Sequence, residues 1–183
     1  MLLRQWREED LGAYARMYAD PEVMRHFPYV LTREESEAQV GSFVGHWEER
    51  GFGLWAVEEK APGAFIGFVG LQYNEERSEG EHKTEVGWRL DRACWNRGFA
   101  TEGARARLGY GFEVLELERI VSFTAPENAA SRRVMEKCGL VQRGVTRWRG
   151  LEHVWYAIDR REWEAAQNRL LKTDRLNQAC SSA

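Results

Sequence analysis

The chain has little of what builds a metal site or a disulfide framework. It holds 3 cysteines and 4 histidines in 183 residues. Cys94, Cys138 and Cys180 are an odd set without metal-ligand spacing, and His26, His46, His82 and His153 are scattered. That count argues against a disulfide scaffold, and no metal is expected. The thiols are expected to be reduced, which points to a cytoplasmic protein. Long apolar runs are also missing, so neither a signal peptide nor a membrane span is expected. Charge of one sign is missing too: 26 basic side chains stand against 29 acidic ones, a net of -3. That balance gives no general case for a nucleic-acid or membrane partner, and neither is expected. No internal repeat and no linker interrupt the chain.

What is present is an ordinary globular composition, 43% apolar and 30% charged, with 8 tryptophans as its one excess. The length fits a single domain able to bury a core. Leu2 to Trp6 alternates as a first strand. Leu11, Tyr14, Ala15 and Tyr18 recur at helical spacing over Asp10 to Tyr18, and Asp20-Pro21 punctuates that helix. Thr32-Arg33-Glu34-Glu35 is a capping-box start for a helix to about Arg50, with Gly51 at the stop position. Leu54 to Glu58 and Ala64 to Tyr73 read as strands joined by an Ala61-Pro62-Gly63 hairpin turn. Asn74 to Glu81 is loop-like. Thr84 to Leu90 is a strand, followed by a helix to about Phe112. A strand over Arg119 to Ala125 precedes a helix from Asn128, in which Ala130, Val134 and Cys138 form an expected core stripe. Leu140 to Trp148 and Glu152 to Ile158 form a closing hairpin around Gly150, and Arg160 to Lys172 a last amphipathic helix. Helices set among strands make a mixed α/β fold. The domain is expected over residues 1–172, with 173–183 a frayed polar tail.

The most informative stretch is Trp95-Asn96-Arg97-Gly98-Phe99-Ala100-Thr101-Glu102, between the Thr84 strand and the helix after it. A glycine-bearing turn at a helix start leaves backbone N–H groups without intrahelical partners. Those groups and the positive end of the helix dipole suit an anion, and Gly98 lets the main chain come close to it. On its own the stretch reads first as a tight strand-to-helix turn without a ligand. A second segment, Asn128-Ala129-Ala130-Ser131 through Lys137-Cys138-Gly139, follows the Arg119 strand in the same way.

Together the two segments resemble the GNAT acetyltransferases, and within them the RimJ/RimL-type branch. Gly98 and Ala100 match that family's coenzyme A loop, Gln/Arg-x-x-Gly-x-Gly/Ala, with Trp95 in place of its first residue. Asn128, Ser131, Lys137 and Gly139 match the branch's Asn-x-x-Ser-x-x-x-x-x-Lys-x-Gly pattern. The opening Leu3-Arg4-Gln5-Trp6-Arg7-Glu8-Glu9-Asp10-Leu11 also looks like the branch, and the likeness covers about Leu2 to Asp159. The resemblance implies a GNAT fold: a mostly antiparallel central sheet with helices on both faces and one splayed parallel pair, the Thr84 and Arg119 strands. It implies an acetyl-CoA-dependent N-acetyltransferase, with coenzyme A as acyl donor, an amine as acceptor, and direct transfer in a ternary complex. Family members are often dimers, so the resemblance allows a homodimer.

The chemistry asks for a pyrophosphate seat, a slot for the pantetheine arm, a neutral amine, and donors for the carbonyl oxygen and the leaving sulfur. The seat is expected from main-chain N–H groups of Asn96, Arg97, Gly98, Phe99, Ala100 and Thr101. Arg97 or Arg92 could add charge, or could be plain loop arginines. The resemblance implies a slot along the splayed edge at Trp88, Arg89 and Leu90, where a cofactor arm adds as a strand. A main-chain N–H there would meet the carbonyl oxygen. Asn128 is a favoured N-cap, and the resemblance adds a contact to the pantetheine arm. It also implies Ser131 as proton donor to the thiolate, because the later position where many members carry Tyr is Met135. Arg132 and Arg133 are candidates for the adenosine phosphates or simply exposed helix arginines. Glu85 is the candidate general base, at a position where several members place a carboxylate. By strand alternation it shares a face with Gly87 and Arg89.

The acceptor is expected on the other side, walled by the first two helices and the Pro21 to Leu31 loop, with Phe27, Tyr29 and Trp47 as candidate lining. Core or loop packing is the stronger reading of those side chains. Glu34, Glu35, Glu37, Glu48 and Glu49 would suit a cationic amine or basic peptide end, or form a solvated face. The acceptor is therefore open between a protein N-terminus and a small-molecule amine. A different class, a non-catalytic acyl-CoA-binding or regulatory module, stays open because the Tyr is missing.

Overall fold

The computed structural model describes residues 1–75, 83–148 and 150–169. The expected tail from Thr173 and most of the Asn74 to Glu81 loop lie outside them. The elements are β1 (Leu2–Arg4), α1 (Asp10–Ala19), α2 (Pro21–Met24), α3 (Arg33–Arg50), β2 (Leu54–Glu59), β3 (Ala64–Tyr73), β4 (Thr84–Leu90), α4 (Phe99–Glu113), β5 (Arg119–Thr124), α5 (Ala129–Lys137), β6 (Val141–Trp148) and β7 (Leu151–Asp159). A helix α6 follows over residues 160–169. The strands form one 7-stranded sheet in the order β1-β2-β3-β4-β5-β7-β6. Every pairing is antiparallel except β4 with β5. No helix among the described residues is long and apolar enough to cross a membrane.

Alternation along the strands supplies two apolar faces. On one, Tyr14, Met17 and Tyr18 of α1, Val23 and Met24 of α2, and Val40 and Phe43 of α3 pack on Leu54 and Phe68. On the other, Ala104, Leu108 and Phe112 of α4, Met135 of α5 and Trp163 of α6 pack on Leu71, Val86, Ile120, Tyr156 and Ile158. The two helical layers carry different tasks, because the strand pair that opens the sheet lies between them.

Local signals act where they are strongest. The Thr32 hydroxyl accepts from Glu35 N–H (3.2 Å) while the Glu35 carboxylate accepts from Thr32 N–H (2.8 Å), a complete capping box. Gly51 ends α3 in the left-handed region, φ 73°. Three expectations need correction. The first strand stops at Arg4, because Trp6 turns into the aromatic cluster against Tyr14, Phe43, Phe65 and Phe68 and donates its indole N–H to Leu54 O (2.8 Å). The short α2 replaces simple punctuation at Asp20-Pro21: Asp20 caps Glu22 N–H (2.8 Å), and Pro21 sits where no N–H partner is needed. The α5 stripe is rotated. Met135 and Cys138 are buried and Ala130 is exposed, since the face that meets the sheet is centred on a pair three residues apart.

Candidate active site

The opening is made by β4 and β5. Their ladder holds a single registered pair, Glu85 opposite Val121. The Ser122 hydroxyl adds a bond to Val86 O (2.8 Å) and fixes that end. Further along, the strands share no registered pair, so main-chain groups of β4 lose their partner. Which groups those are follows from the ladder on the other side. Asp91 N–H donates to Ile66 O (2.9 Å), and the β3–β4 register runs without shift from Gly67 opposite Leu90 to Tyr73 opposite Thr84. Counting in twos, Arg89, Gly87 and Glu85 bond to β3, while Trp88 and Leu90 turn their N–H and C=O toward the opening. Trp95 takes one of these, its indole N–H donating to Leu90 O (2.8 Å). In this chain Trp95 braces the end of the opened strand and lies under the Arg25 guanidinium (5.5 Å to the ring centroid).

Both helices that follow the parallel strands begin at this opening, because each leaves the C-terminal end of its strand. The start of α4 has no side-chain cap. Its N-cap is Gly98 in the left-handed region, φ 87°, and Asn96 before it is also left-handed, φ 59°. A Cβ placed on Gly98 would meet no heavy atom within 4 Å. The N–H groups of Phe99, Ala100 and Thr101 are thus presented to open space at the positive end of a 15-residue helix. These residues fit a pyrophosphate. The start of α5 is capped: Asn128 Oδ1 accepts from Ser131 N–H (3.1 Å). Ser131 is half-buried one turn in, and its hydroxyl makes no hydrogen bond to the described residues. Met135 is fully buried, so no polar side chain occupies that later position.

Glu85, Gly87 and Arg89 turn their side chains to the α1–α3 face, opposite Val86, Trp88 and Leu90. There the loop after α2 spans the opening. Phe27 stacks on the Arg89 guanidinium (3.6 Å to the ring centroid), and His26 Nδ1 lies 3.8 Å from Glu127 Oε1 in the loop before α5. Phe27 is 43% and Tyr29 63% exposed, so this loop offers aromatic surface beside β4. The His26–Glu127 contact has no local sequence signal, because the two residues meet only once β5 lies beside β4.

Other candidates are placed elsewhere. Trp47 packs edge-on against Trp55 and donates to Leu54 O (3.1 Å), two strands away from β5's partner β4. Arg97 is bound to Glu59 and lies over the Phe99 ring (4.9 Å), and that ion pair raises its pKa further. Arg132 donates to Tyr156 Oη (3.2 Å), Pro126 O (3.2 Å) and Gln142 Oε1 (3.4 Å), on the β7 side of α5. Arg92 and Arg133 are exposed. Burial pushes the Cys138 thiol up to about 11 and raises that of Cys94, so neither is a thiolate near neutrality. Among the described residues no three His, Cys, Asp or Glu side chains converge as metal ligands.

A mostly antiparallel sheet opened between two parallel strands, with an uncapped glycine-led helix start at the opening, is the architecture of a coenzyme A-dependent acyltransferase. Residues 1–141 match the family model described as Acetyltransferase (GNAT) domain. The chain belongs to the GNAT acetyltransferases and is an acetyl-CoA-dependent N-acetyltransferase. It is similar to the uncharacterized N-acetyltransferase YnaD of Bacillus subtilis, 32% identical over 173 residues that cover 89% of this chain and 95% of that one. It is also similar to FsC-acetyl coenzyme A-N(2)-transacetylase of Aspergillus fumigatus, 35% identical over 159 residues, covering 79% of this chain and 67% of that one. The crystal structure of a GNAT-family acetyltransferase from Bacillus anthracis superposes with a TM-score of 0.73 at 29% identity, covering 87% of this chain and 95% of that one.

Proposed function

We propose that this chain moves the acetyl group directly from acetyl-CoA to a primary amine while both are bound, the acceptor being a small-molecule amine or a protein N-terminus. The observation that carries the reading is the opening between β4 and β5, joined by one registered pair and bordered by an uncapped helix start. Acetyl-CoA supplies an activated thioester carbonyl. The N–H groups of Phe99, Ala100 and Thr101 hold its pyrophosphate, and the free main-chain groups of Trp88 and Leu90 pair with the pantetheine amides as an added strand. One of these N–H groups also donates to the carbonyl oxygen as charge gathers there. Asn128 touches the arm while its Oδ1 caps α5. The raised thiol pKa values support transfer without a cysteine intermediate.

Glu85 acts as the general base, taking the ammonium proton through water so that a neutral amine attacks. Ser131 gives a proton to the leaving sulfur. Replacing Glu85 with Gln is expected to lower kcat at neutral pH by about 100-fold, within the range for one general base, and to change the coenzyme Kd less than threefold. Steady-state rates with parallel calorimetry check this. A wild-type rate and pH profile would remove Glu85 from the mechanism.

A further inference from the structure

We infer that Arg89 recognises a carboxylate on the acceptor, so that the amine acetylated here is carried by an amino acid or a similar small molecule with a neighbouring acid group. The inference rests on the transferase reading and names the substrate class for the same site.

Arg89 is half-buried in the middle of the sheet, yet it has no ion pair with any described residue. Its guanidinium is collared by aromatic rings instead: Phe27 at 3.6 Å, Tyr18 at 4.5 Å and Phe68 at 5.9 Å to the ring centroids. Stacking uses the flat face of a guanidinium and leaves its in-plane N–H donors unsatisfied. One of them makes a weak contact to Met24 Sδ (3.7 Å). The buried side-chain polar atoms without a partner among the described residues are Ser36 Oγ and Arg107 Nε, so Nε and Nη2 of Arg89, which have no such partner, are not sealed in. The result is a cation with apolar surroundings, free planar donors and access from outside.

Such a group favours an anion. Water is partly stripped from it, no carboxylate among the described residues pairs with it, and a guanidinium fork matches the two oxygens of a carboxylate. Two other strand arginines answer this need internally, Arg4 with Asp10 and Glu58 and Arg119 with Asp159. Position sets what the anion belongs to. The main chain of Arg89 lies between Trp88 and Leu90 at the opening, while its side chain reaches the α1–α3 face under Phe27. A molecule that presents its amine to the opening therefore places an adjacent substituent against Arg89. An α-carboxylate, its carbon two bonds from the amine nitrogen, is such a substituent.

The test compares each of the common α-amino acids with its α-amide, by thiol release from acetyl-CoA, in wild type, Arg89→Met and Arg89→Lys. Wild type is expected to prefer at least one acid over its amide by tenfold or more in kcat/KM. Arg89→Met is expected to bring that ratio to within about twofold of unity, through KM for the acid. Arg89→Lys keeps the charge but loses the fork and is expected to fall between them. Equal or better turnover of the amides by wild type overturns the inference, as does a preference that survives in Arg89→Met. Calorimetric titration of the coenzyme A complex with N-acetylated amino acids and their amides separates this inference from the transferase reading. Tighter binding of the acids to wild type, lost in Arg89→Met, supports the carboxylate site even where no acceptor turns over. Binding that does not distinguish acid from amide overturns it.

Discussion

Replacing Gly98 with tryptophan is expected to raise the Kd for coenzyme A at least 100-fold, about 2.8 kcal/mol at 1.4 kcal/mol per tenfold, while the protein stays folded. The two parts of this expectation have separate causes. A side chain at Gly98 has room: its Cβ would meet nothing within 4 Å. It therefore breaks no packing, and the folding cost is the left-handed φ of 87° imposed on a residue with a Cβ, about 1–2 kcal/mol. That corresponds to a Tm lower by roughly 2–8 °C for a chain of this size. The space the indole fills is the approach to the N–H groups of Phe99, Ala100 and Thr101. Calorimetry with coenzyme A and a thermal melt read the two effects independently. Unchanged affinity would show that the α4 start does not seat the pyrophosphate.

The largest expected effect on stability comes from Arg4→Met. Asp10 is 1% exposed, and its carboxylate is held by both terminal nitrogens of Arg4 (2.7 Å each) and by Arg7 N–H (2.8 Å). Arg4 also donates to Glu58 Oε2 (2.6 Å), so one guanidinium serves two carboxylates and ties β1 and β2 to the start of α1. Its pKa is raised further, chiefly by the Asp10 hydrogen bonds. Removing it leaves Asp10 buried without its counter-ion, and breaking a buried pair from one side costs about 3–5 kcal/mol. Denaturant unfolding is expected to show a loss of that size. A loss below about 1 kcal/mol would mean that Arg7 and water replace Arg4.

Much of this architecture was legible where local chemistry and burial agree. β3 and β4 run over the residues read as strands, and Thr32, Glu35 and Gly51 bound α3 as read. The parallel pair and the α4 start followed from the likeness carried by Gly98, Ala100, Asn128 and Ser131, and the structure has both. What stayed hidden depends on distant contacts. Trp6 and Trp47 are equally apolar in the sequence, and only the fold shows both donating to Leu54 O. Arg97 and Arg132 were open between phosphate ligands and plain surface arginines, and their protein partners Glu59 and Tyr156 were hidden because they are far off in the chain. Arg89 shows the opposite case. A strand arginine between Trp88 and Leu90 carries no signal of its own, and its charge, without an ion pair among the described residues, is visible only once Phe27, Tyr18 and Phe68 surround it.

Thiol release from acetyl-CoA over a panel of amines, free amino acids and peptides with free N-termini tests the central claim most directly, with coenzyme binding measured on the same sample. The account predicts release that requires both enzyme and amine, saturates in each, and yields the N-acetylated acceptor by mass spectrometry. Tight coenzyme binding without release on any acceptor would contradict it and favour a module that holds acyl-CoA without transferring the acyl group.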